Sequence, residues 1–438
     1  MEEKKVEERK QKVKAWLLAK QNIYLLLVII LATIIRLYYF IQTKDQAHWW
    51  DTLAYGSLAK ESIMHMWTGT HFIVSESIIR APLLPFLWST LIRLHFNEIA
   101  VLVFLEYIPS ILSVFIVYLI GKKMYDEKIG LISALICSFL WLHLFYSARI
   151  MTDVPALLFT LLSIYFFVKS HDTLDLKNFS LSIFFLSLSF LMRNTGAILG
   201  FTYLIFLLIT KRRRLFKIKN FWIGGIIGVI PILLFFFYNF LTQGSFFPAL
   251  SPYAQSATNQ AGPAYYILYQ FFPHIFGNIF SPGSNGVFPF YGDVLLIFLM
   301  LGALLIAIET GLAYDMVSKS SRIKWNIFSF LFAGVSLIFF VFILKAAEDR
   351  YLLFFIIVPL LFISHGILFC YSKLKKYNKL LAILFLIVIL FLGGYSQFKY
   401  GNPIIELKKN SYYNLKQAFL WVNENTPQDA VILGDGID

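Results

Sequence analysis

The chain has 438 residues, 58% of them hydrophobic and only 14% charged, with a mean hydropathy of +0.70. A soluble globular chain is closer to a quarter charged, and each charge held at mid-bilayer costs roughly 2.5–3.5 kcal/mol on insertion scales, so the balance excludes a soluble domain and indicates many membrane crossings. The net charge of +13 does not mark a nucleic-acid binder, because Lys and Arg fall in short clusters between apolar runs, as the positive-inside rule produces.

Residues 1–20 read as a charged, helical, cytoplasmic segment. The apolar run from Ile23 to Ile41 is longer than a signal-peptide core and lacks a small-residue cleavage pattern, so it reads as a retained first span. Spans of ~20 mostly apolar residues then give an all-α polytopic membrane protein of about eleven transmembrane helices: 21–41, 98–120, 131–148, 154–169, 179–192, 196–210, 221–241, 293–314, 326–344, 351–371 and 379–396. Most of the 38 Lys and Arg lie on the side of the N-terminus, including Lys122, Lys123, Lys211 to Arg214, Lys373, Lys375 and Lys376. That asymmetry predicts a cytoplasmic N-terminus in the plasma membrane. The transmembrane domain covers 21–396. Its long outer loops are 42–97 and 242–292, and an extracytoplasmic tail at 397–438 reads as an amphipathic helix, a turn at Pro427 and a strand-like 430–433. The tail either packs on the membrane domain or begins a longer soluble domain. Cys137 and Cys370 lie within apolar runs and offer neither a disulfide framework nor a zinc spacing.

Ionisable residues gather at the outer ends of the spans. Asp51 follows Trp49 and Trp50 and precedes Tyr55 in the first loop; indole rings favour headgroup depth, so this acid is either a helix cap at the interface or a site acid. Asp153 lies in a short connection just before Val-Pro155, which suits a helix start and leaves the carboxylate free to face a cavity. Arg80 precedes Ala-Pro-Leu-Leu-Pro85, Arg193 separates the fifth and sixth spans, and Arg350 with Tyr351 heads the tenth. Each arginine alone reads as a snorkelling anchor. Together, acids and arginines on one face suit an acid that accepts a proton and cations that hold a phosphate.

In order and spacing these features resemble the GT-C membrane glycosyltransferases, in particular the branch of polyprenyl-phosphate-mannose protein mannosyltransferases and lipid A aminoarabinose transferases. The matching elements are Asp51 to Tyr55, Arg80 to Pro85, Tyr118 to Tyr125, Gly130 to Leu135, Ala148 to Pro155, Phe190 to Gly196 and Arg350-Tyr351. The resemblance implies transfer of a sugar from a polyprenyl-phosphate donor to a protein, lipid or glycan acceptor at the extracytoplasmic face, with inversion. It makes Asp51 and Asp153 the catalytic acids, and Arg80, Arg350, Arg193, Tyr55 and Tyr351 the substrate and phosphate contacts. Asp51 lacks the second adjacent acid of many relatives, and Ile79 stands where an acid often precedes the arginine. Both departures weaken the case for a protein-bound divalent cation, although the resemblance leaves room for one. The rival class is a secondary transporter, whose marks would be ionisable groups at mid-bilayer and broken helices in matching halves.

Overall fold

The computed structural model describes residues 20–48, 51–65, 81–243, 265, 267, 292–312, 321–344 and 349–427. The N-terminal segment, Arg80, nearly all of loop 242–292 and the strand-like 430–433 lie outside these residues. Among the described residues every regular element is helical.

Helix α1 spans Lys20–Thr43, α2 Asp51–His65 and α3 Leu83–Arg93. A 27-residue helix, α4, runs Glu98–Met124 through a π turn at Val103–Tyr107. Then come α5 at Glu127–Phe139, α6 at Trp141–Ser147, α7 at Asp153–Ser170, α8 at Leu176–Met192, α9 at Gly196–Lys211 and α10 at Lys219–Gln243. The remaining helices are α11 at Gly292–Leu312, α12 at Ser321–Ile338, α13 at Asp349–Phe354, α14 at Ile357–Tyr377, α15 at Lys379–Lys409 and α16 at Tyr413–Asn425. Several starts are set by side-chain caps, which satisfy otherwise orphaned N–H groups. The carboxylate of Asp126 accepts from Lys128 and Ile129 at the start of α5, Asp175 from Asn178 at α8, and Asn378 from Leu380 and Leu381 at α15.

Eight of these helices are long and apolar enough to cross a membrane, or nine with the bent pair α5–α6 counted as one span. The expected eleven is not reached on that measure, because α8 has 17 residues and α9 only 16. Helix α7 packs on α4 and α8, α8 on α10, and α11 on α14. Between α7 and α8 the contact is stitched by hydroxyls: Ser163 donates to the Ser182 carbonyl at 2.9 Å, Ser182 to the Ser163 carbonyl at 3.0 Å, and Thr160 meets Ser189 at 2.8 Å. The backbones of α11 and α14 touch at Gly302 and Gly366, where a Cβ on Gly302 would stand 1.7 Å from the Phe362 carbonyl oxygen. Small residues permit such crossings where lipid supplies no hydrophobic drive.

The third expected span, 131–148, is broken. Helices α5 and α6 meet at 56° about Leu140, whose backbone is extended. A break inside a span strands backbone groups that cost several kcal/mol each if unsatisfied. Arg36 of α1, 1% exposed, donates to the carbonyls of Ser138 at 3.0 Å and Cys137 at 3.4 Å, to Ser110 Oγ at 2.5 Å, and meets His143 Nδ1 at 3.0 Å. On the other side of the break the Trp141 N–H donates to the buried Gln397 side chain at 3.1 Å. The same glutamine explains why α15 continues to Lys409, beyond the expected end at 396: Gln397 and Gly401 face Trp141, so these polar or small positions stay helical against the bundle.

Candidate active site

The connections at one end of the bundle bring five of the expected site residues together. Asp51 is the first residue of α2, Asp153 the first of α7, Arg193 the residue that closes α8, and Arg350 and Tyr351 lie in α13. The closing position is what releases Arg193: its backbone is extended (φ −156°, ψ 124°), its N–H still bonds Ser189, and α9 starts three residues later.

Two ion pairs form. Arg350 Nη1 donates to Asp51 Oδ2 at 2.6 Å, with the side chains 20% and 30% exposed. Arg193 Nη1 donates to Asp153 Oδ1, where the carboxylate is only 2% exposed. Tyr351 joins the pairs. Its ring centre lies 5.4 Å from the Arg193 guanidinium carbon and 5.9 Å from that of Arg350, so the two cations are no more than about 11 Å apart. Tyr351 is itself held by stacking on Phe340, with centroids 5.0 Å apart and planes at 18°.

Tyr55 is placed differently. It is 8% exposed within a cluster of Ala59, Leu84, Trp88, Val101, Leu102, Leu105, Ile150, Ala156 and Met192, which packs α2 and α3 against α4. Trp88 closes on Gly56 there, where a Cβ would sit 3.1 Å from the indole. The position of Arg80 lies outside the described residues.

Sequence reasoning passed over two charged residues at this end. Glu106 is completely buried in the π turn of α4 and accepts the Met151 N–H at 2.7 Å. Arg149, 5% exposed, lies over the Phe145 ring at 4.0 Å. The missed signal for Glu106 was a carboxylate in the middle of an apolar run, a functional pointer in any span. Among the described residues no group of three or more His, Cys, Asp or Glu is placed to hold a metal ion.

Residues 79–238 match the family described as dolichyl-phosphate-mannose-protein mannosyltransferase, a stretch that contains Asp153 and Arg193 but not Asp51 or Arg350. The Archaeoglobus fulgidus oligosaccharyltransferase, solved tethered with an acceptor peptide containing the NVT sequon, superposes with a TM-score of 0.63 at 16% identity, covering 94% of this chain and 58% of its own. The archaeal oligosaccharyltransferase AglB from the same organism, in complex with an inhibitory peptide and a dolichol-phosphate, gives 0.60 at 16% identity, with 92% and 58% covered. ArnT from Cupriavidus metallidurans in the apo state gives 0.54 at 12% identity, with 81% and 61% covered. The chain thus spans about three fifths of the length of these structures. No curated protein matches it by sequence.

Proposed function

We propose that this chain, whose fold is that of the GT-C membrane glycosyltransferases, transfers a sugar from a polyprenyl-phosphate donor to an acceptor hydroxyl at the extracytoplasmic face of the plasma membrane. The observation that carries the reading is the double acid–arginine pairing around Tyr351. The family match over 79–238 and the lipid phosphate and acceptor peptide named with the oligosaccharyltransferase structures support the same class of donor.

The acceptor oxygen attacks the anomeric carbon as the bond from that carbon to the phosphate oxygen breaks, inverting the centre. The acceptor proton goes to a carboxylate acting as general base. Asp51 suits that role, since its side chain is 30% exposed where that of Asp153 is 2% exposed. The departing lipid phosphate is already anionic and needs positive charge rather than a proton. Arg350 supplies it: at rest it neutralises Asp51, and as the donor phosphate draws it away, Asp51 becomes free to accept the proton. Asp153, locked to Arg193, orients the acceptor and the Tyr351 ring. A divalent cation, where one takes part, would add its charge to that of Arg350 on the phosphate, and chelation would reveal it as lost turnover.

The test is reconstitution with a panel of polyprenyl-phosphate sugars, following release of polyprenyl phosphate. Wild type releases it, and a folded Asp51→Asn variant loses about 100-fold or more, the range of a positioned general base. Turnover that survives the substitution assigns the base elsewhere. The transporter reading draws on the helix break at Leu140 and on the buried Arg36, but the polar groups of both are spent on each other and on Gln397.

A further inference from the structure

Glu106 stands apart from both ion pairs and is used by neither. It is 0% exposed, in the π turn that interrupts α4. One carboxyl oxygen accepts the Met151 N–H at 2.7 Å, and the other, also buried, has no partner among the described residues. Its charged neighbours are Asp153 and Arg149. A buried carboxyl with an orphaned oxygen is costly, and an apolar residue of similar size is often as stable in such a place. π turns recur at functional sites because the extra residue re-aims one side chain. Stability therefore does not account for Glu106.

The connection it touches leads directly into α7. Thr152 precedes α7 yet makes no side-chain cap, so the usual device for fixing a helix start is missing immediately before Asp153. Contacts from other elements hold the segment instead: Gln46 donates to the Ala148 carbonyl, Arg193 Nη1 reaches Thr152 Oγ1 at 3.5 Å, and Glu106 holds the Met151 N–H. We infer that Glu106 is a positioning residue for the transfer reaction, holding Met151 so that Asp153, two residues on, meets Arg193 in the geometry the reaction needs. This rests on the reading of the Asp153–Arg193 pair as part of the active site.

The full chain is reconstituted as wild type, Glu106→Ala and Glu106→Gln. Three properties are read: kcat and KM for the polyprenyl-phosphate sugar, hydrogen exchange at the Met151 amide, and the thermal midpoint as a check on folding. Glu106→Ala lowers kcat about 10- to 100-fold, the scale of a sub-ångström to ångström misplacement, leaves donor KM within about threefold, and loses protection at Met151. Glu106→Gln rescues both, because the amide oxygen still accepts that N–H. A Glu106→Ala protein with wild-type kcat, or with Met151 still protected, overturns the inference. So does a Glu106→Gln protein that protects Met151 yet stays as slow as the alanine variant, which would make the carboxyl itself a reacting group. Wild type that turns over no donor while Glu106 still governs Met151 exchange would fail the transferase reading alone.

Discussion

Arg350 reaches Asp51 across 299 positions of sequence, and Arg193 reaches Asp153 across 40; the two pairs differ in burial, and burial decides what each is worth. Breaking a buried pair leaves an uncompensated charge and costs about 3–5 kcal/mol, whereas exposed pairs are worth about 0–1 kcal/mol. With Asp153 at 2% exposure, Arg193→Ala is expected to lose roughly 3–5 kcal/mol in denaturant titration, and the double variant with Asp153→Asn should recover part of it. Arg350→Ala, which removes the partner of the more open Asp51, should leave stability nearly unchanged while turnover collapses. At the opposite end of the bundle His171 is 3% exposed just past α7, with Nε2 at 3.1 Å from Thr210 Oγ1 and Nδ1 at 3.3 Å from Asp172. Burial first, then the nearby Lys211 ammonium, lowers its pKa to about 4. The unfolded chain takes up this proton near pH 6.5, so it binds more protons than the folded chain between the two values. Stability is therefore full above about pH 6.5 and falls as pH drops toward 4. Thermal midpoints of the solubilised protein should follow that slope, and His171→Gln should flatten it.

Helices carry the next level of constraint. At the α11–α14 crossing the neighbour of Gly302 is backbone, the Phe362 carbonyl, and at the reciprocal position a Cβ on Gly366 would stand 2.4 Å from the Phe298 carbonyl oxygen. Nothing there can rotate away, so Gly302→Val must separate the helices, at or beyond the upper end of the roughly 1–3 kcal/mol of ordinary overpacking. Gly225→Ala, with open space around it, is the control and should be neutral; thermal melts of the two variants check both. Most spans are legible in the sequence because a long apolar run has one good solution in a bilayer; their exact starts are not, since the caps Asp126, Asp175 and Asn378 lie in the polar connections before them. The break at Leu140 is not legible. Phe139-Leu140-Trp141 carries no glycine or proline, and what sustains the bend comes from Arg36 and Gln397, about a hundred residues upstream and more than two hundred downstream.

Across the whole molecule, the acids of the candidate site are legible from their place at span ends, and their partners are not. Asp51, Asp153, Arg193, Arg350 and Tyr351 each stand out locally, but which cation meets which acid depends on how the bundle closes. Tyr55 shows the same limit: its place beside Asp51 is legible, and its packing with Trp88 and Leu84 is not. Glu106 is hidden because an apolar run reads as uniform when averaged. The Arg36 contacts carry a consequence for how the chain is made. The charge leaves the ribosome with α1, and its carbonyl acceptor on Ser138 follows 102 residues later. At about 5–20 residues per second, that is an interval of roughly 5–20 s. For that time the first helix rests in the insertion machinery or the lipid as an incomplete part, tolerable because its other residues are strongly apolar. Ser110 on α4 emerges first and the arrival of α5 and α6 then completes the partners of the charge, so the early order of assembly is written into a single side chain.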